Sequence, residues 1–206
     1  MARDTRAQLV SAAARLLDQG GPAAVTLREV GRLAGVSHNA PYKHFADKQD
    51  LLAAIASREL TRRSAIMADA GPASPVERLR QIMRGYIAWA RAKPARFKLT
   101  FGAWTRGNDE LGEAAHLSRR RLIDTVAAAQ AAGELPAGDP DRLAALFLAL
   151  AHGAADLALS GHLSAPGKGS ADPEDLLDDL IGYLRGNAAP RSGEEFANPM
   201  TAPRPA

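Results

Sequence analysis

The chain has 206 residues, 46% of them hydrophobic and 24% charged, with no cysteine and a formal net charge of +3 at pH 7. That length allows one or two domains with a real core, and the composition is that of an ordinary globule. Without cysteine there can be no disulfide, no thiol catalysis and no cysteine-ligated zinc.

Charge is unevenly spread. Up to Lys48 the bases are Arg3, Arg6, Arg15, Arg28, Arg32, Lys43 and Lys48, against Asp4, Asp18, Glu29 and Asp47. From Asp139 to Asp179 acids dominate, with only Arg142 and Lys168 opposing them. A basic end and an acidic end suggest two jobs. The first residues include Arg3, Asp4 and Arg6 rather than an apolar block, so cytosol is the expected location. The longest apolar run, Leu143 to Ala155 around His152, is shorter than the about 20 residues a bilayer requires. A buried helix and no membrane partner are expected.

No segment alternates as a strand does; helical spacing recurs, predicting an all-α fold of about nine helices. Leu9, Val10, Ala13, Leu16 and Leu17 form a first stripe, closed by "DQGG", where Gly20 can take the left-handed C-terminal conformation. "TLRE" opens a second helix, with Thr26 and Glu29 at capping-box spacing, each able to satisfy the other's backbone donor. Leu27, Val30 and Leu33 face inward, Gly35 permits a sharp turn that Val36 plugs, and Ser37 can cap a third helix. Pro41 then lies at that helix's entrance. With Ser37 as cap it deletes one hydrogen bond; with His38 as cap it deletes none.

A fourth helix from about Asp47 to Ala68 carries Leu51, Leu52, Ile55 and Leu60. A fifth, Pro75 to Arg91, carries Leu79, Ile82, Met83, Tyr86 and Ile87, and a short sixth holds Phe97 and Phe101. A seventh spans Glu110 to Ala132, and a long apolar eighth runs from Asp141 to about Ser160. "DPED" starts the last helix, with Asp172 as cap, Pro173 in the first turn, and Leu176, Leu177, Leu180, Ile181 and Leu184 as its stripe. From Asn187 the chain is polar and proline-rich and is expected to be disordered. The expected organisation is residues 1–48, residues 49–187 and a tail, residues 188–206.

The first three predicted helices, with a tight glycine turn between the second and third, make a helix-turn-helix. In order, "TLREVGRLAGVSHNAPYKHFADKQDLLAAI" resembles the TetR family of bacterial transcriptional regulators, over about Thr5 to Leu60. The rest resembles the family in being helical and of the right length. "LAHGAADLALSGHL" is similar to the long helix of a subgroup with a Trp-His-Gly signature, although here the tripeptide is Ala151-His152-Gly153. The resemblance implies an N-terminal helix-turn-helix domain, a C-terminal helical bundle for regulation and dimerisation, double-stranded DNA as partner, and an unidentified small-molecule effector. No cofactor or metal is implied.

The DNA-facing candidates follow. Thr26 caps the second helix, whose end can meet a phosphate. Arg28, in its first turn, can bond guanine or phosphate. Ser37 precedes His38, Asn39 and Ala40, placed in the first turn of the third helix, where Asn39 can bond adenine and Ala40 a thymine methyl. The resemblance puts Tyr42 and His44 at the DNA backbone and Lys43 near bases or phosphates. Phe45 reads as core. Lys48 opposes the dipole of the fourth helix, so a phosphate partner explains it better than local stability. Gly31 stands where the family usually has alanine, predicting a loosening of about 1 kcal/mol in helix propensity.

In the second half, the resemblance implies a homodimer through the last two helices. Ala145, Ala149 and Gly153, four apart, form a ridge that lets a helix approach closely, and Leu177, Leu180, Ile181 and Leu184 lie on the last helix. Burial within one chain explains the same residues. The family's effector pocket lies among the middle helices, where Met83, Tyr86, Trp89, Phe97, Phe101, Trp104, His116 and His152 are candidates, equally readable as core. An apolar or aromatic effector is favoured. His152 and Asp156, four apart and followed by His162, suit a His-Asp hydrogen bond better than a metal.

Two rivals remain. "APGKGS" lacks the glycine and Ser/Thr of a phosphate loop, with Pro166 and Gly169 in those places, and no nucleophile–base–acid spacing is present, so catalysis is not expected. A helical small-molecule-binding or adaptor protein without DNA binding would leave Arg28, Lys43 and Lys48 unexplained.

Overall fold

The computed structural model describes residues 4–68, 73–104, 107–163 and 171–186. Among the described residues there are nine helices and no strand. They are α1 (Thr5–Ala24), α2 (Leu27–Ala34), α3 (Ala40–His44), α4 (Lys48–Ala68), α5 (Pro75–Ala92), α6 (Pro94–Thr100), α7 (Asp109–Ala131), α8 (Pro140–Leu159) and α9 (Pro173–Leu184). The tail of residues 188–206 and the "APGKGS" loop lie outside the described residues.

Helix starts follow local chemistry. The side chains of Asp4, Thr26, Ser74, Asn108, Asp139 and Asp172 each accept a hydrogen bond from a first-turn backbone N–H. Only half of the expected Thr26–Glu29 box forms. Glu29 N–H donates to Thr26 Oγ1 at 3.2 Å, but the Glu29 carboxylate takes a bond from Arg32 Nε at 2.9 Å instead of reaching back. Within α1 the left-handed residue is Gly21, φ 64°, rather than Gly20, because Pro22 restarts a helical turn one residue later. Gly35 closes α2 in the left-handed conformation, φ 68° and ψ 32°, as its turn requires.

Two apolar cores result. The N-terminal one gathers Leu9, Val10, Ala13, Leu17, Val25, Val30 and Phe45 with Leu51, Leu52 and Ile55 from the first half of α4. The other gathers Leu79, Met83, Tyr86 and Ile87 of α5 with Phe97, Val126, Phe147, Leu177 and Ile181. Between them, Ala53, Ala56 and Leu60 of α4 meet Leu111 and Ala114 of α7. Helix α4 therefore spans both regions. Its face changes partner partway along, which is why its polar residues include the buried Ser57 and Glu59.

Helix α8 extends beyond the Leu143–Ala155 run at both ends and is, by length and composition, long and apolar enough to cross a membrane. In this fold its Phe147, Ala151, Ala154 and Ala155 are buried in the second core, beside α5 and α9.

Candidate nucleic-acid interface and apolar pocket

Helix α3 begins at Ala40, so Ser37, His38 and Asn39 form the turn before it rather than its first turn, and neither Ser37 nor His38 is its cap. Asn39 holds the cap position without a side-chain bond, and Ala40 N–H reaches Ser37 C=O at 3.0 Å. Pro41 is the second helical residue, where no intrahelical donor is needed, so its missing N–H costs nothing. Its ring is buried against α2. A Cβ at Gly31 would stand 2.9 Å from Pro41 Cγ, closer than real contacts allow. The expected loosening at Gly31 is thus replaced by a fit: glycine there makes room for the proline that stiffens α3.

With Pro41 and Phe45 inward, the opposite side faces solvent. Ser37, His38, Asn39, Tyr42, Lys43 and His44 are exposed, as are Thr26 and Arg28 on α2; Ala40 and Lys48 are half-buried. Tyr42 is 53% exposed and its ring lies 5.9 Å from that of His38. Among the described residues Arg28, Lys43 and Lys48 form no ion pair. Asp47 Oδ1 accepts from Asp50 N–H at 2.9 Å and Asp50 Oδ2 from Ala46 N–H at 3.1 Å, which sets the start of α4 and hence the position of Lys48.

A polar joint ties this region to the next. Arg96 on α6 grips Asp18 of α1 with two bonds, at 2.9 and 2.7 Å, and reaches Glu59 of α4 at 2.9 Å. Lys93 adds a bond to Asp18 at 3.2 Å. Partial burial raises the Asp18 carboxyl, but the bonds and charges of Arg96 and Lys93 outweigh it and hold it below the usual carboxylate value.

A cavity of about 650 Å³ opens among α4 to α8. Met83, Tyr86, Phe101, Trp104 and His152 line it, with Leu60, Arg63, Met67, Ile82, Thr100, Leu111 and Leu122. Of the other expected pocket residues, Phe97 is fully buried in the core, Trp89 stacks behind Arg63, and His116 is exposed; none of these three is on the wall. Tyr86 Oη and His152 Nδ1 share a hydrogen bond at 2.9 Å, so the partner of His152 is not the exposed Asp156. Their different helices explain the exchange: Tyr86 points across from α5, whereas Asp156 points to solvent. Among the described residues no cluster suits a metal ion.

Sequence reasoning missed Arg63. It follows Leu60 by three and precedes Met67 by four, so it occupies an apolar-face position of α4, and that is the signal that would have found it. Its guanidinium lies 4.6 Å from the Tyr86 ring centre and 4.9 Å from that of Trp89. Burial pulls it down to about 10, opposed in part by Tyr86 and Glu59, so it stays protonated at neutral pH.

The expected dimer residues divide. Leu177 and Ile181 are fully buried in the chain's own second core, so their side chains have no surface to offer a partner. Leu180 and Leu184 are half-buried. Ala145, Ala149 and Gly153 line the rim of the cavity. The large apolar side chains left in solvent on α8 and α9 are Leu146 at 61%, Leu157 at 44% and Tyr183 at 69% exposure.

Residues 9–55 match the family described as "Bacterial regulatory proteins, tetR family", and residues 79–184 match "Tetracyclin repressor-like, C-terminal domain". The chain is 32% identical over 201 residues to the HTH-type transcriptional regulator BetI of Cronobacter sakazakii, covering 92% of this chain and 95% of that one. Among solved structures it resembles a protein with unknown function from Rhodococcus sp. RHA1, with TM-score 0.74, 30% identity, and coverage of 89% and 94%. The transcriptional regulator FadR of Bacillus subtilis, solved with stearoyl-CoA, shares the fold at TM-score 0.68 and 15% identity, over 89% of this chain and 99% of that one. With its exposed polar third helix on a glycine turn and its helical second half, the chain belongs to the TetR family of bacterial transcriptional regulators and carries a helix-turn-helix DNA-binding domain.

Proposed function

We propose that the protein is a ligand-responsive repressor that binds a near-palindromic operator as a homodimer. The observation that carries this reading is the solvent-facing, mostly polar set on α2, α3 and the turn between them, whose Arg28, Lys43 and Lys48 have no ion-pair partner among the described residues, standing on an apolar core. Thr26, Arg28, Ser37, His38, Asn39, Ala40, Tyr42, Lys43, His44 and Lys48 form the DNA surface. Two such surfaces enter successive major grooves roughly 34–36 Å apart. Residues 1–48 act as the reader and residues 49–187 as the regulatory unit, with α4 shared between them. The protein acts in the cytoplasm, where its DNA is, and performs no catalysis. Repression is the family's commoner mode.

The partner copy docks on α8 and α9. Leu146, Leu150, Gly153 and Leu157 follow one another by four, three and four residues, so they form one helical stripe, and Tyr183 lies on the neighbouring helix. Half-buried Leu180 and Leu184 border that face. The effector sits in the cavity beside His152 of the Ala151-His152-Gly153 segment, which resembles the Trp-His-Gly subgroup's signature with alanine in place of the tryptophan. Helix α6 links the two functions, because Thr100 touches the cavity while Arg96 grips Asp18 of α1. An effector that favours a shifted α6 changes the spacing of the two readers and releases DNA by differential affinity.

Electrophoretic mobility shift on the DNA flanking the protein's own gene tests this. A sequence-specific shift is expected; its absence, with and without cell metabolites, overturns the reading.

A further inference from the structure

We propose that the cavity takes an elongated apolar molecule carrying a single carboxylate, which seats against the guanidinium of Arg63. This deepens the proposed ligand response and rests on it only for the consequence at DNA.

Four observations converge. First, Arg63 lines a mostly apolar cavity, and among the described residues it forms no hydrogen bond and no ion pair; its contacts are the ring faces of Tyr86 and Trp89 at 4.6 and 4.9 Å. The neighbouring acid, Glu59, is already held by Arg96 at 2.9 Å and by Trp89 Nε1 at 3.3 Å. Arg63 is half-buried and its nearest acid is bound elsewhere, so a ligand counter-charge would stabilise it, and a planar guanidinium matches a carboxylate by two parallel bonds. Second, two further polar atoms on the wall, Thr100 Oγ1 and Trp104 Nε1, are buried without any hydrogen-bond partner. Thr100 is only 6% exposed, and its hydroxyl is available to a polar ligand atom in the cavity.

Third, among the described residues the cavity wall carries one positive charge without an ion-pair partner. The other described cation on the wall, Arg119, is bound to Asp141 at 2.8 Å. A single carboxylate balances the charge that these described residues supply. Fourth, the cavity is long. It touches α8 from Asp141 to Gly153, and at about 1.5 Å per residue that is a span of roughly 18 Å. Arg63 stands over Tyr86, which bonds His152, so the cation marks the His152 end. Met67, Ile82, Leu122 and Ala144 provide an apolar channel toward the Arg119–Asp141 end. A volume of about 650 Å³ falls within the range of small-ligand pockets.

The test uses three probes of equal chain length below their micellar concentrations: dodecanoate, 1-dodecanol and dodecylamine. The chain has two tryptophans, and Trp104 lies on the cavity wall, so intrinsic fluorescence reports binding. Dodecanoate is expected to bind the full-length protein about tenfold or more tighter than the alcohol, and the amine weakest. Arg63→Gln is expected to weaken dodecanoate about tenfold and to bring acid and alcohol within about twofold of each other. Circular dichroism melts confirm that the variant folds; Thr100→Val, nearly isosteric, is a second variant expected to weaken the acid alone.

Equal binding of acid and alcohol by the unmodified protein, an acid preference that survives in folded Arg63→Gln, or no binding of any probe overturns the proposal. Mobility shift of ligand-free protein is scored separately. A shift without acid preference removes only the carboxylate assignment, and acid preference without a shift removes only the DNA reading.

Discussion

The two cores of this protein are built differently. Around α1, α2, α3 and the start of α4, small and medium apolar residues fill the space: Ala12, Ala13, Ala14, Leu9 and Leu17 are at 0% exposure, and Pro41 seats in the space left by Gly31. Around the rest of α4 and α5 to α8, large aromatic and methionine side chains surround a cavity of about 650 Å³ with a half-buried arginine on its wall. A tightly filled core holds its surface residues in one geometry, which suits reading a fixed duplex. A core with an internal void has neighbours that can rearrange at lower cost, which suits response to a ligand.

The most severe test of the contrast is Phe45→Ala. Phe45 is 2% exposed and joins α3 to the N-terminal core, so removing it should cost about 3–5 kcal/mol in chemical denaturation. A loss below about 1 kcal/mol would mean that the filled core is less critical than its packing indicates. Next comes Gly31→Ala. Helix propensity alone favours alanine by about 1 kcal/mol, yet contact with Pro41 should reverse the sign to a net loss of about 1–3 kcal/mol. The double variant Gly31→Ala/Pro41→Ala should recover much of it; additivity of the two single effects would refute the coupling.

The joint between the regions gives a smaller effect. Asp18 is held below its usual value, so its contribution to stability is present above the ordinary carboxylate range and is lost as pH falls below about 4. Asp18→Asn should cost about 1 kcal/mol at pH 7 and flatten that acid limb in pH-dependent melts. An unchanged limb would place the acid sensitivity elsewhere. Least is expected of Lys48→Ala, which should leave stability within about 0.5 kcal/mol yet lower the salt slope of DNA binding by about one unit. An unaltered slope would remove Lys48 from the phosphate contacts.

The N-terminal region was the more legible of the two because its instructions are local. Thr26 caps three residues before Glu29, Gly35 turns the chain, and Phe45 follows Pro41 by one helical turn; all act within a few residues of themselves. Even there, two details needed neighbours in space. Glu29 chose Arg32 over the cap, and Gly31 made sense only against Pro41. The cavity was less legible because its parts come from far along the chain. Arg63, Tyr86, Thr100 and His152 lie on α4, α5, α6 and α8, and no spacing rule links them.

Periodicity, caps and turns in the sequence by themselves determined the helices, their order and the helix-turn-helix, since each depends on backbone bonds between near neighbours. Tertiary structure alone decided which apolar stripes would be core, wall or open face. Leu177 and Ile181 turned inward, Ala145, Ala149 and Gly153 came to rim a cavity, and Leu146, Leu157 and Tyr183 stayed in solvent. Hydrophobic burial is non-directional, so an apolar side chain can accept any of these places, and the choice waits for the crossing of helices distant in sequence.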